Sequence, residues 1–541
     1  SVQQDCGTCP QDEGGRLMAS VGEMLVRGLK ARGVEVVFGI PGVHTIQLYR
    51  GLTGSGVRHV TARHEGGAGF MADGYARASG KPGVAFVITG PGLTNALTPM
   101  GQAREDSIPI LVISGVNRRD SLGQGFGLLH EMPDQGGMVR TLCPSFQVTS
   151  PDMLEPVLNR AFAALTAGRP GPVHIEVPTD VMPKACPEPT APPLAPVGRT
   201  PDTGMLQAAA HRLNGAQKVV ILAGGGARSA GAALKALAAK LDAPVISTTN
   251  ARGLMHGHPL NLAASPSFPA VRALVKAADQ VLAVGTEFGQ TDYDMYSDGA
   301  VPDLPGMIRV DICADQLARQ AATVRVCADA RVALEALLPM VDARTADGAK
   351  RTAATLAAAR VELGALSPKM AAQLVMVEAM RDAMPGSMIV GDSTQPVYAG
   401  NLCHDHDLAG GWFNAATGFG SLGYGPGAAV GAAIGKPGVP VICLVGDGGL
   451  QFSPGELRTA VDENLDITFL VWNSASYQEI AESMEAAQIE VLGCDPSPLK
   501  MEPFAAACDL PFQSVPNDPE ALKAALRAPR SGPRMIEVVT F

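Results

Sequence analysis

The sequence is first informative for what it does without. It has no Lys/Arg cluster and no stripe of aromatic and basic residues, and its formal net charge is −10. A nucleic-acid partner is therefore not expected, because phosphate backbones are held by concentrated positive charge. No apolar run approaches the ~20 residues that span a bilayer, and the N-terminus lacks a signal-peptide pattern, so no membrane partner is expected either. The ten cysteines form no spaced framework, which fits reduced thiols in a cytoplasm. Cys6 and Cys9 make a lone CxxC in a polar leader, and one pair cannot complete a four-ligand metal site.

What is present is a long chain with a large apolar share. Its 541 residues exceed one hydrophobic core and suggest roughly three domains. Two breaks divide it. Pro187 to Asp202 reads PEPTAPPLAPVGRTPD, where proline removes donors and fixes the backbone. Ala343 to Ser367 is polar and then Ala-rich, a linker carrying a helix. The blocks so defined, residues 15–186, 203–342 and 368–541, share one grammar of short β-branched runs between helical patterns. The runs VEVVFGI, VAFVITG and ILVISGV serve block one; KVVILAGG, APVISTT and QVLAVGT block two; SMIVGD, VPVICLVGDGG and ITFLVWN block three. Near-continuous apolar strands alternating with helices predict an α/β fold of three domains, with parallel sheets flanked by helices. Such sheets carry their chemistry at the carboxyl ends of the strands.

Two segments bear residues suited to chemistry there. From Val441 to Tyr477, an apolar strand delivers Gly446-Asp447-Gly448-Gly449, an amphipathic helix is expected next, and a second strand ends at Trp472. Glycines let backbone N–H groups approach phosphate oxygens, and Asp447 offers a hard oxygen ligand for a divalent cation. Asp447 and Ser474 stand 27 positions apart, a strand-helix-strand distance that returns to one crevice. From Val60 to Asn95, Glu65 follows a strand and opens a helix of small residues. A partly buried carboxyl at that place suits sharing a proton with a ring nitrogen.

In these motifs the chain, from about Gly15 onward, resembles the thiamine diphosphate-dependent enzymes of the acetolactate synthase and pyruvate decarboxylase type. The resemblance implies two thiamine diphosphate-binding domains around a Rossmann-like middle domain, with thiamine diphosphate and Mg²⁺ as cofactors. It implies Mg²⁺ on Asp447, on the Ser474 side chain and on the Ser476 carbonyl, and phosphates on the amides of Gly446, Gly448 and Gly449. It implies that Glu65 binds N1′ of the aminopyrimidine, so that the cofactor's own imino group removes the thiazolium C2 proton. Leu422 would prop the cofactor into its bent shape, with the Gly420 carbonyl accepting from the 4′-amino group. Pro41, Gly42, Thr394, Gln395 and Tyr477 complete the cofactor-binding set. The family usually has two successive asparagines where this chain has Asn473-Ser474, and Gly where it has Ser476. Asn473 or a water is then an alternative ligand. The triple glycine in Leu222 to Gly231 matches the place where acetolactate synthases hold FAD, but a structural turn is the favoured reading.

The stretch from Tyr477 to Ala507 lacks the tryptophan and acidic-aromatic extension of acetolactate synthases, and no phenylalanine-glutamine pair occurs around Leu129-His130-Glu131. FGIPGVHTIQLYRGL, VGTEFGQTD, GDSTQPVYAGN and WNSASYQEI resemble the 5-guanidino-2-oxopentanoate (2-ketoarginine) decarboxylase group. A guanidinium substrate demands a carboxylate. Glu479 is the first candidate, followed by Glu131 and Asp405, while His44, His130, His404 and His406 are candidate proton donors. The expected activity is decarboxylation of a 2-oxo acid by a homodimer or homotetramer whose sites are built from two chains. The alternatives are acetolactate synthase-like carboligation and a cofactor-binding homologue without turnover.

Overall fold

The computed structural model describes residues 19–189, 192–195, 198–294 and 304–541; Cys6, Cys9 and the start of the first block lie outside them. Three six-stranded sheets are present, with all strand pairs parallel. In spatial order the first runs Arg58–Thr61, Val36–Gly39, Gly83–Val87, Ile110–Val116, Val173–Pro178, Ser145–Gln147. The second runs Val324–Cys327, Ile308–Asp311, Gln280–Val284, Val219–Ala223, Val245–Ser247, Asn261–Leu262. The third runs Trp412–Asn414, Met388–Gly391, Val441–Gly446, Ile467–Asn473, Arg534–Val539, Phe512–Pro516. The nine strands expected from sequence are all here, three adjacent ones in each sheet.

Along Val219–Ala223, Val219, Ile221 and Ala223 join one core, while Val220 and Leu222 join another. Both faces of the sheet are buried, which is why its strands read as unbroken apolar runs. The Ala-rich helix of the second break, Gly348–Leu366, is no free linker: Ala359 and Leu363 belong to one of those cores. The single helix expected after Gly446 is instead two short ones, Asp447–Leu450 and Glu456–Asp462, with Pro454 between them.

The described residues form two compact units. One joins those before Gly198 with Pro426–Pro437 and Ser453–Leu465; the other holds Gly198–Gly425, Gly438–Phe452 and Asp466–Phe541. Within the first unit the helix Glu65–Ser79 meets the later part of the helix Tyr424–Gly435 at backbone distance. A Cβ on Gly74 would lie 2.0 Å from the Ala428 carbonyl oxygen, and one on Gly431 would lie 1.9 Å from that of Met71.

The first and third sheets share one strand order. It reverses between Val36–Gly39 and Gly83–Val87 in the first, and between Met388–Gly391 and Val441–Gly446 in the third. Loops leaving the carboxyl ends of such a pair diverge and open a binding crevice. The second sheet reverses between Val219–Ala223 and Gln280–Val284, but there a Cβ on Gly224 would lie 2.3 Å from the Gly285 carbonyl oxygen. The triple glycine therefore lets two loops close on each other.

Candidate active site

In the first unit the strand Arg58–Thr61 leads to His64, whose Nδ1 accepts from the Gly66 N–H at 3.0 Å and caps the next helix. Glu65 is its first residue and is half-buried. Asn95 Nδ2 donates to Glu65 Oε2 at 3.0 Å. A Cβ on Gly92 would lie 3.5 Å from Glu65 Oε1 and 2.7 Å from Ile88 Cγ2. The same Ile88 has its Cδ1 2.5 Å from the Cβ position of Gly42. The Pro41-Gly42 turn and Glu65 are thus gathered around one apolar side chain at the reversal point of the sheet.

His44 and His130 meet edge to face with ring centroids 5.3 Å apart. Burial, with the charge of His130 beside it, holds the His44 imidazole below its ordinary range, and its Nδ1 has no hydrogen-bond partner. Glu131 is tied to its own loop, accepting from the N–H groups of Phe126 at 3.1 Å and Leu128 at 2.9 Å. Its two oxygens thus each hold one backbone N–H of that loop.

In the second unit Asp447 is buried at the end of the strand Val441–Gly446. Its Oδ1 accepts from the Ser474 N–H at 3.2 Å and lies 3.5 Å from Ser474 Oγ, which donates to the Ser476 carbonyl at 3.0 Å. Carboxylate and carbonyl oxygens therefore flank the Ser474 hydroxyl at 3.5 and 3.0 Å, a cluster of the hard donors that suit a divalent cation. The donor set is hard and all-oxygen, and it fits Mg²⁺ completed by waters and phosphate oxygens. Among the described residues no group of three or more His, Cys, Asp or Glu is arranged to hold a metal. Burial pushes the Asp447 carboxyl up, against the pull of the Ser474 N–H. Asn473 is engaged elsewhere: its Nδ2 donates to Glu537 at 2.6 Å and its Oδ1 accepts from the Ala475 N–H at 2.9 Å.

Three side chains crowd the glycine turn. Cβ atoms on Gly446, Gly448 and Gly449 would lie 3.1 Å from Thr394 Oγ1, 2.6 Å from Tyr477 Cε1 and 3.0 Å from Asp392 Oδ1. Asp392 is fully buried and accepts from the N–H groups of Ser393 and Gly425, each at 2.8 Å. Burial pushes its carboxyl up to about 6, with N–H groups of Gly425, Ser393, Gly423 and Tyr424 opposing the shift. Asp392 thus ties the glycine turn to the loop that presents Leu422. Leu422 stands between Gly420 at φ +74° and Gly423 at φ +77°, with 42% of its surface exposed. An apolar side chain left open on a fixed loop suits contact with an organic ligand. Gln395 Nε2 donates to Glu479 at 3.1 Å and Glu482 at 3.0 Å, while Gln395 Oε1 accepts from Gln373 at 3.1 Å.

The chain matches three family models: the N-terminal TPP-binding domain of thiamine pyrophosphate enzymes over residues 19–138, the central domain over 206–337, and the C-terminal TPP-binding domain over 395–538. The chain belongs to the thiamine pyrophosphate enzyme family. It is 41% identical to the probable 2-ketoarginine decarboxylase AruI of Pseudomonas aeruginosa, over 96% of this chain and 94% of that one. It is 30% identical to the acetolactate synthase isozyme 1 large subunit of Escherichia coli K12, over 84% and 81%. A further relative is the acetolactate synthase large subunit IlvB1 of Mycobacterium tuberculosis, 30% identical over 84% and 76%. As a thiamine pyrophosphate enzyme, the chain carries both cofactor-binding domains of the family on its first and third sheets. Among the described residues no helix is long and apolar enough to cross a membrane.

Pro41, Gly42 and Glu65 come together in the first unit; Thr394, Gln395, Gly446, Asp447, Gly448, Gly449, Ser474, Ser476, Tyr477 and Glu479 do so in the second. His404, His406 and Asp405 do not join them. Both rings are fully buried, His404 Nε2 against His406 Nδ1 at 3.2 Å and His406 Nε2 against the Ser387 carbonyl at 3.0 Å. Asp405 is taken by His256 and Asn261. Sequence reasoning missed Asn95, Asp392 and Glu482. For Asp392 a signal existed, since a carboxylate directly after an apolar strand lies at the chemically active end of a parallel sheet.

Proposed function

We propose that the chain decarboxylates a 2-oxo acid with a guanidinium tail, such as 5-guanidino-2-oxopentanoate, using thiamine diphosphate and Mg²⁺. The observation carrying this is Glu479, a carboxylate held by the neutral amide of Gln395 next to the metal turn, while Glu482, one helical turn on, shares that amide and is paired with Lys369. An amide offers two N–H donors and no charge where a guanidinium offers five donors in a charged planar fork, so the substrate tail satisfies Glu479 more fully. The relative's name, 2-ketoarginine decarboxylase, points the same way.

When bound, thiamine diphosphate supplies the nucleophilic carbon and the electron sink for loss of CO₂. Asp447, Ser474 and the Ser476 carbonyl would hold Mg²⁺, and the amides of Gly446, Gly448 and Gly449 would receive the diphosphate. Leu422 would pack against the bound cofactor, and the Gly420 carbonyl would offer it an acceptor. Glu65, oriented by Asn95, would hold or release a proton at its carboxyl toward the cofactor's pyrimidine ring. His130, backed by the buried neutral His44, returns the proton that replaces CO₂.

The working unit is a homodimer or homotetramer in the cytoplasm, with domains at residues 15–186, 203–342 and 368–541 and no FAD in the middle one. Exposed Val43, Ile46, Phe126 and Leu129 near the histidine pair, and exposed Phe419, Phe452 and Tyr477 near the glycine turn, support burial against a second chain. The test is a 2-oxo acid panel with direct CO₂ detection and product analysis. CO₂ plus the guanidino aldehyde is expected, with KM for that substrate rising at least about tenfold in Glu479→Gln. CO₂ with an acetohydroxy acid from pyruvate replaces this reading by carboligation, and thiamine diphosphate binding with no CO₂ from any 2-oxo acid replaces it by a cofactor-binding protein without turnover.

A further inference from the structure

One buried carboxylate takes no part in the chemistry above. Glu456 opens the helix Glu456–Asp462, downstream of Asp447 on the same segment, and is 1% exposed. It lies in the same compact unit as Glu65. Both its oxygens stand 3.2 Å from the Arg63 N–H, and Oε1 accepts from the His64 N–H at 3.1 Å. Thr459 Oγ1 donates to Oε2 at 2.9 Å and approaches the Thr61 carbonyl at 3.3 Å. A Cβ on Gly67 would lie 2.0 Å from Glu456 Oε1, so the glycine one position beyond Gly66 leaves room for this carboxylate alone. Arg63 also pairs with Asp462, and Arg58 with Glu463, at the rim of the same contact.

Arg63 and His64 are the two residues before Glu65, and His64 caps its helix. Their N–H groups have left the strand ladder and precede the first helical bond, so the buried Glu456 carboxylate is the acceptor that fixes them within the protein. A lysine cannot accept from either, whereas a carboxylate accepts from both and still takes the Thr459 hydroxyl. Removal of a carboxylate that serves two backbone donors frees the strand-to-helix turn, and the first helical side chain moves with that turn. Burial raises the Glu456 carboxyl, opposed by the Thr459 hydroxyl and the two N–H groups.

We infer that Glu456 is a positioning residue for Glu65: by holding the Arg63-His64 backbone it sets where the Glu65 carboxyl stands relative to the pyrimidine nitrogen. The inference rests on the role given to Glu65 above. A displacement near 1 Å at a proton-exchanging group is enough to slow its reaction severalfold to a hundredfold.

The experiment measures hydrogen–deuterium exchange at C2 of thiamine diphosphate bound to the full-length enzyme, by acid quench and NMR, alongside cofactor affinity and thermal stability. Glu456→Gln keeps the shape and one acceptor oxygen, and should slow exchange and kcat on the order of tenfold, leaving substrate KM within about twofold and cofactor affinity unchanged. Glu456→Ala should slow exchange further, and Gly67→Ala, which leaves Glu456 in place but drives its oxygen away, should reproduce the Gln result. Glu65→Gln is the control. If Glu65→Gln exchanges at the wild-type rate, the role of Glu65 itself fails. If Glu65→Gln stops exchange while the Glu456 and Gly67 variants exchange normally, or slow only in proportion to lost cofactor affinity, Glu456 does not position it. Should Glu456→Gln fail to fold, Gly67→Ala decides alone.

Discussion

Tyr477 lays its ring edge over Gly448 so closely that a Cβ there would sit 2.6 Å from Cε1 and 2.9 Å from Cδ1. The ring is 39% exposed, so it has solvent to move into. Gly448→Ala should therefore fold, push the ring aside and weaken thiamine diphosphate–Mg²⁺ binding about tenfold by calorimetry. Removing the ring as well, in Gly448→Ala with Tyr477→Ala, should recover part of that loss, because the two sites share one contact and are not additive. Equal affinity in Gly448→Ala and wild type would show that the turn has slack.

Glu65→Gln should lower turnover by at least a hundredfold with an unchanged melting curve, since an amide fills the same space but cannot exchange the ring-nitrogen proton. Asn95→Ala removes only the 3.0 Å donor that orients the carboxylate, and should lose about tenfold. Activity near wild type in Glu65→Gln would take the residue out of the reaction.

Asp447→Ala should abolish Mg²⁺-dependent cofactor binding while leaving the apoprotein at least as stable at neutral pH. The sign follows from its raised carboxyl: burial disfavours the charged form, so the ionised side chain opposes folding until a cation compensates it. Ser474→Ala should weaken Mg²⁺ by a smaller factor, about three- to tenfold, because it removes one neutral ligand. Calorimetry with and without chelator reads both, and unaltered affinity in Asp447→Ala would remove the metal from this turn.

How far the sequence carried depended on position in the sheet. The expected strands are adjacent interior ones, such as Ile110–Val116, where both neighbours and both faces exclude water. Missed strands lie toward the flanks. Arg58–Thr61, Val324–Cys327 and Phe512–Pro516 face solvent in part, and Val173–Pro178 hides His174 and Glu176 within a buried run. Buried polar residues break the apolar signal without breaking the strand, because local hydrogen bonds satisfy them: His174 with Ser114 and Ser145, Glu176 with Gln135 and Gln147. The glycine turn was legible through the whole strand-turn-helix-strand unit around it, since Asp-Gly alone also makes an ordinary tight turn. The engagement of Asn473 by Glu537 was not, since it depends on a strand far along the chain.

Acid should destabilise the protein through its buried imidazoles. Burial lowers His174 to about 3 and His406 to about 4. In the folded state they stay neutral, whereas the unfolded chain protonates them below about 6.5, so their stabilising contribution is complete above that pH and is lost as pH falls. Each such histidine withdraws about 1.4 kcal/mol per pH unit between about 6.5 and its folded value. His174→Gln should lower stability at pH 7.5 yet flatten the decline toward pH 5, in urea melts across that range. An unchanged slope would mean that His174 titrates alike in both states.

The active unit should build each site from two chains, Glu65 of one and Asp447 of its partner. Closed two-fold association pairs the same surfaces in both directions, so a dimer of this kind has two equivalent shared sites. The apolar side chains left open near each half, Val43, Ile46 and Phe126 on one and Phe419, Phe452 and Tyr477 on the other, are what such a pairing would cover. Mixing inactive Glu65→Gln with inactive Asp447→Ala and allowing subunits to exchange distinguishes shared from private sites. In a mixed dimer with shared sites, one site receives both substitutions and the other neither, so activity returns toward half of wild type per mixed dimer. With private sites every site keeps one defect and no activity returns. Exchange is verified independently with differently tagged chains, and a silent mixture after verified exchange, or a fully active monomer, refutes the shared site.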